Sequence, residues 1–137
     1  MGAKTRVEAS CAKPELGHGR RIWVRINGGI FGPGIRNLLI AIDSLGNIRL
    51  AAEEIKISYS KAYLLLNHFE NDSGCRLLNR QLGGAHGGSS TLTETAKDII
   101  ARYDAFMEES KNLLQEALDR SFSDFEPRDV SKQRPRR

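Results

Sequence analysis

Four successive residues, Ser58, Tyr59, Ser60 and Lys61, carry side chains that form hydrogen bonds and that no apolar pattern claims. Grouped donors and acceptors with one cation suit the edges of base pairs or the oxygens of a phosphate backbone. A second polar group lies further on. Arg80 offers a charge-assisted phosphate contact. It is followed by Gly83-Gly-Ala-His-Gly-Gly-Ser-Ser90, where four glycines let the backbone approach a phosphate and His86, Ser89 and Ser90 supply donors. Catalytic and metal chemistry finds no comparable grouping. His18, His68 and His86 are scattered, and Cys11 and Cys75 lie far apart without partners at metal-ligand spacing. No enzyme, metal or cofactor is therefore expected. The glycines between Gly28 and Gly34 lack the Gly-Lys-Ser/Thr ending of a phosphate loop, and Pro33 removes a backbone donor, so they read as turns.

The elements that must position these residues follow from apolar spacing. Ile48, Ala51, Ala52 and Ile55 recur at three- and four-residue intervals on one face of a short helix, with Asn47 as its N-cap. A second helix starts near Ser58, another N-cap, and buries Ala62, Leu65, Leu66 and Phe69 while Tyr63 and Leu64 face outward. Two short helices joined by a tight turn form a helix-turn-helix, whose second helix can enter a DNA major groove by its N-terminal residues. An ordinary helical hairpin with a solvated polar end shows the same pattern. Arg76–Leu82 and Thr91–Thr93 can pair as strands around the glycine-rich tip, which makes a wing. Upstream, Arg21–Ile26 suits a strand with Trp23 as a packing residue. Asn27-Gly28 is a hairpin turn, and Ile30-Phe31 the return. Ile35–Leu45 makes a helix with Leu38, Leu39, Ile42 and Leu45 inward and Gly46 as its stop.

After the wing, Thr93 or Thr95 can cap a long helix reaching about Phe122, some 40 Å at about 1.5 Å per residue. Its apolar stripe includes Ile99, Tyr103, Phe106, Met107, Leu113, Leu114 and Ala117. A core this small cannot cover all of it, so these residues are expected at a homodimer interface. Burial of Ile99 to Met107 against the same chain is the alternative. The 137 residues carry a net charge of +4, with 21 Lys and Arg against 17 Asp and Glu. Residues 1–36 have seven basic and two acidic side chains, residues 94–122 four and seven, and residues 123–137 five and three. A polyanion is thus expected to meet the ends and middle of the chain, away from the acidic helix. No apolar run approaches the roughly 18 residues that span a bilayer. No apolar signal segment opens the chain, and a reduced cytoplasmic setting is expected.

Residues 20–122 resemble the N-terminal DNA-binding domain of the molybdate-responsive ModE family, itself similar to the LysR-type winged helix-turn-helix. The matching residues are Gly46-Asn-Ile with Ala51-Ala52, Ile57-Ser-Tyr-Ser-Lys-Ala-Tyr63, Asn67, Leu78-Asn-Arg80, Gly83-Gly84, Gly87-Gly88 and Leu92-Thr93. The resemblance implies a dimeric transcription regulator with Ser58–Lys61 in the major groove and the Arg80–Ser90 wing on the backbone or minor groove. Tyr63 stands where the family commonly has Trp, Lys56 where it has Gly, and Leu64 where it has a polar residue. Full regulators of the family add C-terminal oxyanion-binding domains, and an oxyanion effector is not expected to bind this chain alone.

The expected architecture is mainly helical with small β: a flexible arm (1–19), a winged helix-turn-helix with a short N-terminal hairpin (20–93), a dimerisation helix (94–122) and a disordered basic tail (123–137). The expected partners are double-stranded DNA and a second copy of the chain. The expected DNA contacts are Asn47, Ser58, Tyr59, Ser60, Lys61, Tyr63, Arg80, Gly84, His86, Gly87, Ser89 and Ser90. A protein-interaction module that docks through the long helix is the competing reading.

Overall fold

A computed structural model describes residues 14–81 and 88–128. The chain divides into two compact units, Arg21–Glu108 and the pair of segments Met1–Arg20 with Glu109–Arg137.

The larger unit opens with strands β1 (Val24–Ile26) and β2 (Gly29–Phe31), paired antiparallel with Val24 opposite Phe31. Asn27 takes the left-handed position of the two-residue turn, at φ 54°. Its side-chain amide donates to the Ser73 carbonyl at 2.6 Å, and the Gly28 N–H donates to the Asp72 carbonyl at 3.3 Å. Helix α1 (Pro33–Leu45) begins with Pro33, whose fixed φ suits a first helical turn, and ends at Gly46 in the left-handed region (φ 86°). Helix α2 (Ile48–Glu54) is capped by Asn47, whose side chain accepts the Leu50 N–H at 2.7 Å. Helix α3 (Tyr59–Ser73) is capped by Ser58, whose hydroxyl oxygen accepts the Lys61 N–H at 3.0 Å. Strands β3 (Leu78–Gln81) and β4 (Ser89–Leu92) pair antiparallel, with Arg80 opposite Ser90. Helix α4 (Glu94–Ser121) follows, capped by the Thr93 hydroxyl, which accepts the Ala96 N–H at 3.0 Å and donates to the Arg76 carbonyl at 2.7 Å.

One core joins these elements. Leu38, Leu39 and Ile42 from α1, Ala51 and Ala52 from α2, and Ala62, Leu66 and Phe69 from α3 pack with Leu77, Leu78 and Leu92 at the base of the second hairpin. Phe31, fully buried, sets its ring edge-on to Phe69 (5.7 Å) and to Tyr103 of α4 (5.3 Å). These are favourable aromatic geometries. Gly29 is needed where α3 presses on β2, because a Cβ there would lie 2.9 Å from both the Phe69 ring and the Ser73 Cβ. Arg36 of α1 grips Asp104 of α4 through both carboxylate oxygens (3.0 and 2.9 Å), a bond that raises the Arg36 pKa above its ordinary value.

Two packing expectations need correction. Trp23 is 57% exposed: Val24 and Ile26 turn inward along the strand, so alternation sends Trp23 and Arg25 outward. Leu45 is 40% exposed: it lies on the outer side of the last turn of α1, whose inner side is held by the fully buried Ile42.

In the smaller unit, residues 14–20 form no helix or strand. The His18 Nδ1 donates to the Gln115 side-chain oxygen at 3.0 Å, and Arg20 donates to the Ser110 hydroxyl at 3.2 Å. The final described turn brings Phe122 and Phe125 edge-to-face at 5.3 Å. The arm before residue 14 and the basic tail from 129 onward lie outside the described residues.

Candidate nucleic-acid interface

The polar group at the start of α3 is where local chemistry demands. Ser58 has an extended backbone (φ −74°, ψ 156°) and spends its oxygen on the helix cap, which leaves its O–H and the side chains of Tyr59, Ser60 and Lys61 exposed. Lys61 has no carboxylate within ion-pair distance among the described residues. The turn that aims this helix bends at Lys56, which has φ 63° in the region that favours glycine. Ile57 then sends its N–H back to the Ala52 carbonyl at 3.0 Å.

Behind these residues the next turns of α3 meet the second hairpin. Tyr59 and Tyr63, four apart, stack with centroids 6.0 Å apart and planes 26° apart. The Arg49 guanidinium from α2 covers Tyr59 at 4.6 Å, and that of Arg80 from β3 covers Tyr63 at 5.6 Å. Arg80 also approaches the Glu70 carboxylate at 3.6 Å and the Asn67 side-chain oxygen at 3.5 Å. The other Glu70 oxygen accepts the N–H groups of Leu77 (2.7 Å) and Leu78 (3.2 Å), which fixes where β3 leaves α3. A cleft of about 300 Å³ runs between them, bordered by Asn47 and Arg49, by Tyr59 and Tyr63, and by Arg80 and the strand residues facing it.

Of the expected contacts, Asn47, Tyr59, Tyr63, Arg80, Ser89 and Ser90 border this cleft. Ser58, Ser60 and Lys61 stand exposed at the adjoining helix start. Ser90 is only 6% exposed, and its N–H is committed to the Gly46 carbonyl at 2.9 Å, which docks β4 on the end of α1. Ser89, alternating with it, is exposed. Gly84, His86 and Gly87 lie outside the described residues. Arg49 escaped sequence reading because it sits on the outer side of a short helix. Its signal was the turn itself, which brings the first turn of α2 beside the first turn of α3.

The helix expected at a dimer interface divides by burial. Tyr103 is 5% exposed, donates its hydroxyl to the Ile22 carbonyl at 2.7 Å, and packs on Phe31 of its own chain. Ile99 and Met107 are half-buried against the same core. Phe106 is 47% exposed and borders an apolar cleft of about 340 Å³ with Val24, Ile26 and Ile99. Leu113 and Leu114 are exposed, and Ala117 is half-buried. No helix among the described residues is long and apolar enough to cross a membrane, and no group of His, Cys, Asp and Glu among them is placed to hold a metal ion.

No family model matches the chain. Two curated proteins are similar to it. The transcriptional regulator ModE of Haemophilus influenzae is 37% identical over 67 residues, which is 49% of this chain and 26% of that protein. The molybdenum transport protein ModE of Azotobacter vinelandii is 36% identical over 83 residues, 61% of this chain and 29% of that protein. The matched stretch thus spans between a quarter and a third of these relatives' length, and the resemblance to ModE regulators read from the sequence stands.

Proposed function

We propose that this chain binds duplex DNA as a homodimer and regulates transcription, with α2, α3 and the β3–β4 hairpin acting as a winged helix-turn-helix. The observation that carries this reading is the exposed, uncompensated polar start of α3 beside a cleft lined by two arginines. Similarity to two ModE proteins, one of them a transcriptional regulator, supports it. In this reading Lys61, Ser58 and Ser60 meet base edges in the major groove, Tyr59 anchors on the backbone, and Arg80 with Ser89 positions the wing. No step of it is catalytic, and it belongs to the cytoplasm.

The exposed Phe106 and its apolar cleft support pairing of two copies through α4. A two-fold dimer presents two recognition helices to half-sites about one helical turn apart. The test is fluorescence anisotropy on a random duplex pool across a salt series, with sequencing of the bound fraction. A palindromic motif with that spacing is expected. Weak binding that vanishes with salt and enriches no motif refutes the reading and favours a protein-docking scaffold.

A further inference from the structure

Arg49, Tyr59, Tyr63 and Arg80 form a continuous stack drawn from three different elements. Each tyrosine ring neighbours the other and carries one guanidinium over it. The rings thus hold two guanidinium groups by cation–π contact, one at each end of the tyrosine pair. The two arginines differ in one respect. Arg80 is tied to Glu70 and Asn67, whereas Arg49 has no carboxylate within ion-pair distance among the described residues. Its charge is held over Tyr59 at the border of the cleft.

We propose that Arg49 is a backbone contact of this protein, held by the tyrosine stack to seat a phosphate of double-stranded DNA in the cleft between α2, α3 and β3. This rests on the duplex-binding reading and deepens it: it assigns a residue that neither the start of α3 nor the wing contains.

The experiment is anisotropy of the full chain on a random-sequence duplex and on single-stranded DNA of the same length, over a salt series, for wild type, Arg49→Ala and Arg49→Lys. Wild type is expected to prefer the duplex. Arg49→Ala is expected to weaken duplex binding on the order of tenfold at moderate salt, with thermal unfolding unchanged. It should also make the slope of log affinity against log salt shallower by about 0.9, the signature of one lost phosphate contact. A merely structural role leaves that slope untouched. Arg49→Lys is expected to regain the slope but not the full affinity, because an ammonium lacks the planar face that lies on Tyr59. Arg49→Ala with wild-type slope and affinity overturns the assignment while leaving the duplex-binding reading intact. Equal wild-type affinity for single strand overturns the duplex preference, and full rescue by lysine overturns the role of the stack. Failure of wild type to bind duplex at all removes both readings.

Discussion

Two basic side chains frame the candidate interface and differ in what holds them. Lys61 stands exposed on the first turn of α3, while Arg80 is braced by the Glu70 carboxylate and the Tyr63 ring. A free ammonium in a groove discriminates between sequences, and a braced guanidinium at the wing base positions the protein. Lys61→Ala is therefore expected to erase most of the difference between selected and random duplex, and Arg80→Ala to weaken both alike and flatten the salt dependence. Anisotropy on the two duplexes separates these outcomes, and identical profiles for both variants would refute the division. Glu70 carries a different burden. Its side chain is 11% exposed and accepts two strand N–H groups as well as facing Arg80, so Glu70→Ala strands buried donors. The expected loss is about 2 kcal/mol of stability in urea unfolding. A loss under about 0.5 kcal/mol would show that water replaces the carboxylate without cost.

The elements were legible where their signals are local. Asn47 and Ser58 cap the helices for which their side-chain chemistry suits them, Gly46 ends α1, and Asn27-Gly28 turns the first hairpin. What sequence could not supply depends on neighbours distant in the chain. The Gly46 carbonyl takes the Ser90 N–H and so fixes β4 against the end of α1. The turn between α2 and α3 lays Arg49 over Tyr59. That turn also holds a local conflict, for Lys56 has φ 63°, in the region that favours glycine. A side chain in this region costs about 1–2 kcal/mol, partly offset by the greater entropy glycine loses on folding. Lys56→Gly is expected to raise stability by about 0.5–1 kcal/mol in chemical denaturation. A decrease would mean that the lysine makes a compensating contact. At Gly29 the sign reverses. Gly29→Ala would drive a methyl to 2.9 Å from Phe69 and Ser73, and the expected loss is about 1–3 kcal/mol.

At the scale of the molecule, the long helix poses the remaining question. Its residues Ala96, Ile100 and Tyr103 are buried by the chain itself, so the part of the stripe nearest the hairpin needs no partner. Phe106, by contrast, is 47% exposed beside an apolar cleft, and Leu113 and Leu114 are 57% and 40% exposed. Such residues, repeated along one helix, suit a self-complementary face, where each copy supplies both the projecting ring and the cleft. A charge at such a face opposes association without disturbing the chain's own core, because the altered side chains already reach solvent. The double substitution Phe106→Glu with Leu113→Glu is therefore expected to sediment as a monomer with an unchanged thermal transition at low concentration. A monomeric wild type rules the dimer out, and a variant that stays dimeric moves the interface elsewhere. The same variant tests how DNA is engaged. If the two recognition helices act as a unit, loss of the dimer should reduce affinity for a palindromic site far more than for a single half-site, because binding of the second half-site is no longer intramolecular.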